Sequence, residues 1–239
     1  MTAFSHALLR TLLLLAITTA SVAAPPPLPA LDIAIEDTSV SGISSGGFMA
    51  AQVQVAHASI IRGAGIVAGG PYYCAQDSVA RATTECSCTG EPALSCKVGE
   101  ASAAVPALVA ATRSFHAAGR IDDPALLARQ RVVTVVGGRD ALVPAPITRQ
   151  LHAYYQAFGM PPSSLAPVVL DEAGHTMPTT SFGGACGATD EPYIGKCGFT
   201  AAHAILDWIY GPQVAPPATD TVAAGRFIEF LRSPAVQEG

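Results

Sequence analysis

Five residues near the start of the chain, Gly42–Gly46, follow the pattern G-x-S-x-G. They stand between a β-prone run at 38–43 and a helix-like run at 47–58. A strand that turns sharply into a helix can lift a serine hydroxyl clear of a sheet, and small residues flank such a turn because its backbone is crowded. This context predicts Ser44 as a nucleophile, with the backbone N–H of Ser45 directed at the oxyanion. The alternative is a serine- and glycine-rich turn without chemistry.

An acid and a base follow the serine in the order that such a site requires. A run of β-branched residues at 131–136 leads to Asp140, and a second strand-like run at 165–170 leads to His175. A helix-like segment at 145–158 separates the two runs. Since the carboxyl ends of parallel strands share one edge of a sheet, all three side chains are expected at that edge.

The expected roles follow from proton chemistry. An imidazole of near-neutral pKa can take the proton of a serine hydroxyl, and a carboxylate can hold that imidazole in the correct tautomer. We therefore assign the base to His175 and the orienting acid to Asp140. The alternatives are a solvated loop acid and an ordinary loop histidine. Asp171 lies four residues before His175 and is less suitable, because it would have to fold back on its own segment.

The first residues have the features of an export signal. A basic start and a short apolar core precede small residues, which predicts a signal peptide over 1–23 with cleavage after Ala23 or Ala24. A retained membrane anchor is the alternative. Residues 24–239 would form a single domain that begins with the short proline-rich tether Pro25–Pro29. Periplasmic or secreted localisation is expected.

Composition narrows the choice of partners. The formal net charge is −5, and the chain has two lysines, Lys97 and Lys196. No basic patch is present, which argues against a nucleic-acid partner. No motif indicates an organic cofactor, a catalytic metal or stable membrane insertion, and the oligomeric state is left open.

Six cysteines in an exported chain predict three disulfide bonds. We expect Cys186 to pair with Cys197 and the other four to pair among themselves. A metal site fits less well, because the spacing lacks pairs of the C-x2-C type. The six are Cys74, Cys86, Cys88, Cys96, Cys186 and Cys197.

The remaining pattern predicts an α/β fold with one mostly parallel sheet flanked by helices. The cysteine-rich segment that ends near residue 98 is expected to be a surface loop. Further strands are expected at 60–68 and 225–231, and further helices at 101–118, 123–129 and 200–210.

Four segments together resemble the exported poly(3-hydroxybutyrate) depolymerases, and the likeness covers nearly all of the mature chain. The nucleophile, acid and base of that family fall on Ser44, Asp140 and His175. The resemblance implies hydrolysis of a hydroxyalkanoate polyester or its oligomers through an acyl-serine intermediate. The four segments are Ser39–Ala50, Gly63–Cys74, Gly174–Thr179 and Pro192–Cys197.

The position of Ser44, near the start of the mature chain, is similar to that in a circularly permuted subgroup of the α/β-hydrolase-like depolymerases. In that subgroup C-terminal strands supply a second oxyanion N–H from a His-Gly-Cys stretch. This chain contains no His-Gly dipeptide and ends at Gly239. About five strands are expected, against roughly eight in a complete sheet, which favours a truncated relative that lacks the second donor and exposes a sheet edge.

Three functions remain open at this point. The first is a serine esterase acting on poly(3-hydroxybutyrate) or short hydroxyalkanoate oligomers, and without a separate binding module it would favour amorphous or oligomeric substrate. The second is a general short-chain or aryl carboxylesterase, and the third an inactive, truncated exported domain. For the first, an apolar substrate wall near Ser44 is expected, with core packing as its alternative. Its members would be Phe48, Met49, Tyr72 and Tyr73.

Overall fold

The structure, a computed structural model, describes residues 26–27, 30–90 and 95–212. The expected signal peptide at 1–23 and the expected strand at 225–231 lie outside these residues. The elements given below belong to one compact unit that begins at Ile33. Within the described ranges, no helix has the length and apolar character needed to cross a membrane.

Four parallel strands form the main sheet, and their spatial order follows their order along the chain. Each lies close to its predicted boundaries, which confirms the mostly parallel sheet. Since all four strands run in one direction, their carboxyl ends meet at a single edge. The strands are β1 (Thr38–Ile43), β2 (Ile61–Val67), β3 (Arg131–Gly137) and β4 (Leu165–Leu170).

Five α-helices occur among the described residues. Four are those that the sequence predicts, whereas the short α2 lies within the cysteine-rich segment that was expected to be a loop. The predicted helix at 123–129 is a 3-10 helix, Pro124–Arg129. The α-helices are α1 (Ser45–Ala56), α2 (Val79–Thr84), α3 (Val105–Ala117), α4 (Ala145–Ala157) and α5 (Ala201–Tyr210).

Helix α5 covers one face of the sheet at short range. Its Ile205 and Ile209 pack with Val133 of β3 in a buried cluster. A Cβ atom on Gly65 would come within 2.5 Å of the Ile205 side chain, and one on Gly63 within 2.9 Å of the Ile209 side chain. The two glycines of β2 therefore allow this close approach.

Helices α1, α3 and α4 cover the opposite face with a larger core. Val132 of β3 joins Val55, Leu108, Leu151 and Tyr154 from the three helices in one buried cluster. All five side chains are completely shielded from solvent. This larger core fixes the position of α1, the helix that begins directly after Ser44.

A chain of buried hydrogen bonds adds polar specificity to that core. The Tyr155 hydroxyl donates to Gln54 Oε1 at 2.5 Å, Gln54 Nε2 to Gln130 Oε1 at 2.8 Å, and Gln130 Nε2 to the Ala58 carbonyl at 3.1 Å. Burial raises the pKa of the Tyr155 phenol, which stays protonated as the donor. The network ties α1 to α4 and to the residue before β3.

A second, smaller sheet follows β4 and was not predicted. Its three short strands are parallel and stand in the order β5-β7-β6. The disulfide bond Cys186–Cys197 joins the residues that directly follow β6 and β7. The strands are β5 (Met177–Thr179), β6 (Gly184–Ala185) and β7 (Ile194–Lys196).

Candidate active site

Ser44 occupies a strained turn between β1 and α1. Its backbone angles are φ 58° and ψ −124°, which a side-chain-bearing residue rarely adopts. Its N–H donates to the Val67 carbonyl at 3.0 Å, and its carbonyl accepts from the Phe48 N–H at 2.9 Å. The turn is therefore anchored to the neighbouring strand and to the first turn of α1. This is the geometry that presents a nucleophilic serine above a parallel sheet.

The glycines around Ser44 differ in what they allow. A Cβ atom on Gly42 would lie 2.4 Å from the Gly46 carbonyl oxygen, and one on Gly47 would lie 2.7 Å from the Val67 carbonyl oxygen. Both positions exclude any side chain. A Cβ atom on Gly46 would meet no atom within 4 Å. The sequence predicts backbone crowding on both sides of the turn. The crowded positions are Gly42 and Gly47, whereas Gly46, the second glycine of the G-x-S-x-G pattern, lies in open space.

Asp140 follows β3 and lies at the same edge of the sheet as Ser44. Its side chain is completely buried. One carboxylate oxygen accepts the N–H groups of Leu142 at 2.9 Å and Val143 at 2.8 Å. The other accepts a hydrogen bond from His175 Nδ1 at 2.8 Å. A carboxylate with three donors is compensated for its burial and is held in one orientation.

The loops that carry the acid and the base interlock. A Cβ atom on Gly137 would lie 2.3 Å from the Ala173 carbonyl oxygen, and one on Gly138 would lie 2.5 Å from that of Asp171. The Arg139 N–H also donates to the Ala173 carbonyl at 2.9 Å. Glycine at these two positions lets the two loops touch, and this contact sets the separation of Asp140 and His175.

His175 is only 4% exposed, and its loop is held from several sides. Its N–H donates to Thr189 Oγ1 at 3.0 Å, and the Gly174 N–H donates to the Cys186 carbonyl at 2.9 Å. The Tyr193 ring meets the imidazole edge-on, with 6.3 Å between ring centroids. The small sheet and its disulfide bond thus support the histidine.

Ser44 and His175 line one small pocket of about 250 Å³, together with Ile43, Leu142 and Tyr193. In the part of the chain that the structure describes, no hydrogen bond joins the two side chains. Hydrogen bonds of this kind are often long before substrate binds. Asp171, the alternative acid, is exposed, and the imidazole is bonded to Asp140 instead.

Ser45 is the first residue of α1, where the backbone N–H has no partner within the helix. It lines a larger cavity of about 550 Å³ that Ser44 shares and His175 does not. Two pockets therefore meet at Ser44. The smaller one lies on the side of the predicted base, His175, and the larger one lies on the side of the predicted oxyanion donor, Ser45.

Three of the four aromatic and apolar residues expected to form the substrate wall line the larger cavity: Phe48, Met49 and Tyr73. Tyr72 does not. It is buried in the core, where its ring packs edge-on against Phe115 at 6.3 Å. Tyr72 is therefore a core residue. Phe48 and Tyr73 line the cavity and also pack against the core cluster, and the Tyr73 ring lies 4.9 Å from that of Phe115 between centroids.

The disulfide bonds follow the expected grouping. Cys186 pairs with Cys197 in the support of the base, and the remaining four pair as Cys74–Cys86 and Cys88–Cys96. Cys74 and Cys86 line the larger cavity, as do residues of α2. Sequence reasoning missed α2 and Tyr193 as parts of the site. Ser78 caps α2, since its side chain accepts a hydrogen bond from the Arg81 N–H. A serine at this position is a helix-start signal that could have predicted α2 from the sequence.

The arrangement is suited to nucleophilic acyl transfer. A carboxylate can only accept, so the Asp140 bond places the proton of neutral His175 on Nδ1 and leaves Nε2 as the basic nitrogen. Among the described residues, no three His, Cys, Asp or Glu side chains are grouped closely enough to hold a metal ion.

Curated relatives support the resemblance stated above. The chain is 37% identical over 214 residues to a poly(3-hydroxybutyrate) depolymerase of Delftia acidovorans, covering 89% of this chain and 41% of that protein. It is 34% identical over 203 residues to a polyhydroxybutyrate depolymerase of Talaromyces funiculosus, covering 83% and 55%. This chain thus spans about half the length of the relatives it matches. No family model matches it.

Solved structures agree with the sequence relatives. A PHB depolymerase from Penicillium funiculosum superposes with a TM-score of 0.66 at 31% identity, over 79% of this chain and 56% of that one. A substituted PHB depolymerase complexed with an R3HB trimer gives a TM-score of 0.65 at 32% identity, over 77% and 54%. These matches confirm both the α/β fold and the predicted resemblance.

Proposed function

This chain is a relative of the poly(3-hydroxybutyrate) depolymerases, and we propose that it is a serine esterase that hydrolyses hydroxyalkanoate esters. Its substrates would be poly(3-hydroxybutyrate) or its short oligomers. The observation that carries the proposal is the buried 2.8 Å bond between Asp140 and His175 at the strand edge where Ser44 occupies its strained turn.

The first half of the reaction forms an acyl-enzyme. Ser44 Oγ attacks the ester carbonyl carbon while its proton passes to His175 Nε2, and Asp140 stabilises the resulting imidazolium. The negative charge on the former carbonyl oxygen is stabilised by the Ser45 N–H. The intermediate collapses as the C–O bond to the alcohol breaks. The leaving oxygen takes the proton from His175.

The second half restores the enzyme. A water molecule gives its proton to His175 Nε2 and attacks the acyl-serine carbonyl. Collapse of the second intermediate returns the proton to Ser44 Oγ and releases the acid. No step calls for a metal ion or an organic cofactor. The burial of Asp140 and His175 would strengthen the charge interaction between them during both halves of the reaction.

We further propose that the protein is exported to the periplasm or secreted after cleavage of 1–23, leaving one catalytic domain. The apolar leader and the three disulfide bonds support this, since disulfides persist in oxidising compartments. N-terminal sequencing of protein recovered outside the cytoplasm tests it. A mature start at Ala24 or Pro25 is expected, and recovery of intact Met1 would contradict it.

The test of activity is peptide mass spectrometry after exposure to a fluorophosphonate, which needs an activated serine and no knowledge of the substrate. We expect a stoichiometric adduct on Ser44 that is lost in His175→Ala, with Ser44→Ala as the blank. Hydrolysis of a hydroxybutyrate trimer in preference to a simple butyrate ester would support the depolymerase assignment. The reverse preference would favour a general esterase. A folded protein without an adduct would favour an inactive domain.

A further inference from the structure

The two pockets that meet at Ser44 are chemically different, and the reaction assigns a part of the substrate to each. His175 lines only the smaller pocket, and Ser45 lines only the larger cavity. The base must deliver its proton to the departing alcohol, which therefore leaves on the His175 side. The acyl group, bonded to Ser44, then extends into the larger cavity.

The direction of a polyester makes this assignment informative. In a chain of 3-hydroxy acids, the acyl part of the broken bond continues toward the hydroxyl end of the chain. The alcohol part continues toward the carboxyl end. A short oligomer bound with its acyl part in the larger cavity would therefore place its terminal hydroxyl there.

Asp77 is the one charged side chain among the described residues that line the larger cavity. No ion pair to Asp77 occurs in the part of the chain that the structure describes. The Tyr73 hydroxyl donates to Asp77 Oδ2 at 2.8 Å. This bond raises the pKa of the Tyr73 phenol, which keeps the donor protonated. The carboxylate retains a second oxygen that can accept a hydrogen bond from a ligand.

The segment that carries this pair is rigidly held. Tyr73, Gln76 and Asp77 all have φ between 46° and 59°, a region that non-glycine residues rarely occupy. Gln52 Oε1 accepts the Tyr73 N–H at 3.0 Å, and the neighbouring Cys74 is disulfide-bonded to Cys86. Strain of this kind persists only where surrounding structure enforces it, and it concentrates at ligand sites.

We propose that the larger cavity is the acyl site and that Asp77, positioned by Tyr73, makes it selective for acyl chains that end in a hydroxyl group. A terminal hydroxyl donates to the carboxylate, whereas an acyl chain that ends in a carboxylate is repelled by it. This inference rests on the proposed function, because it assumes that Ser44 carries the acyl group.

The experiment uses three 4-nitrophenyl esters of the hydroxybutyrate dimer, whose hydroxyl end is free, methylated or succinylated. Wild-type kcat/KM is expected to fall in that order. Asp77→Asn keeps the size of the side chain and removes the charge. We expect it to narrow the preference for the free over the succinylated ester by about tenfold, the size of one charge-assisted interaction. Part of this change should be a gain in absolute rate on the succinylated ester, which misfolding cannot produce.

Two further variants complete the test. Tyr73→Phe keeps the ring and removes the hydroxyl that holds Asp77, so it should narrow the same ratio by a smaller factor. Glu36→Gln makes the same charge change at an exposed residue outside the cavity lining and should leave all ratios at the wild-type values. If Asp77→Asn leaves the ratio of kcat/KM between the free and succinylated esters unchanged, the inference about Asp77 is overturned but the proposed function is not. Absence of turnover with every ester, together with no fluorophosphonate adduct, would overturn the proposed function and the inference with it.

Discussion

The turn at Ser44 and the loop at His175 reach the same edge of the sheet by different means. Ser44 is held mainly by its neighbours in the chain, which form β1 and α1 and crowd each other's backbone within 42–47, with one further anchor at the Val67 carbonyl of β2. His175 is held from a distance by Asp140, by Thr189 and by the small sheet that Cys186–Cys197 joins. A local motif can therefore encode the nucleophile, whereas the base depends on tertiary structure.

The largest expected effect comes from removing the distant support of His175, its bond to Asp140. Asp140→Asn keeps the side-chain shape but cannot fix the His175 tautomer or stabilise its cation, and it should lower kcat by about 10³–10⁴-fold. The rate of ester hydrolysis and the rate of fluorophosphonate labelling measure this. Asp171→Asn is the matched control at an exposed acid of the adjoining loop and should stay near the wild-type rate. Equal losses in both variants would contradict the assignment of Asp140.

The next largest effect comes from disturbing the local turn that holds Ser44. Gly42→Ala places a methyl group against the Gly46 carbonyl, so the turn must shift. We expect a loss of more than about 2 kcal/mol in the free energy of unfolding, and about 10² in labelling rate, because Ser44 is displaced. Urea unfolding and labelling kinetics measure the two effects.

Gly46→Ala is the matched control for that variant, since its methyl group meets open space. It should change stability by less than about 1 kcal/mol, in the stabilising direction, because alanine favours a helix over glycine. A destabilised Gly46→Ala with a normal Gly42→Ala would mean that the crowding at this turn lies elsewhere.

A smaller effect concerns the disulfide bond beneath the base. Removing it in Cys186→Ala/Cys197→Ala should lower stability by about 2–3 kcal/mol, the range for a loop of this length, and should also slow labelling of Ser44. Cys88→Ala/Cys96→Ala removes a bond that closes a similar loop, with sequence separations of 8 and 11 for the two bonds. It should cost similar stability with less effect on labelling. Equal slowing in both variants would show that the base does not depend on the small sheet.

The same contrast decides what the sequence could predict. The four strands, the order of Ser44, Asp140 and His175, and the grouping of the cysteines all come from short-range patterns, namely β-branched runs, turn residues and spacing. The small sheet and the contact of Tyr193 with His175 arise from pairing between distant short segments, which periodicity cannot detect. The burial of Tyr72 depends on core residues from other elements, with which it forms one cluster.

The smallest expected effect uses a histidine outside the site as a reference. His152 of α4 hydrogen-bonds to Thr134 Oγ1 at 2.7 Å rather than to a carboxylate, and its burial lowers its pKa below the ordinary 6.5. The unfolded chain therefore binds a proton at this imidazole more readily than the folded chain does. The stability that neutral His152 contributes is present above about pH 6.5 and is lost as the pH falls below that value. His152→Gln removes the titrating group.

Urea unfolding of wild type and His152→Gln at pH 7.5 and pH 5.5 measures this effect. The variant is expected to lose less stability between the two values than wild type, so the gap between the proteins narrows in acid. A gap that widens in acid would mean that the folded state stabilises the His152 cation. Burial of the His152 imidazole, whose hydrogen-bond partner is the uncharged Thr134 hydroxyl, would then not be the dominant influence on its titration.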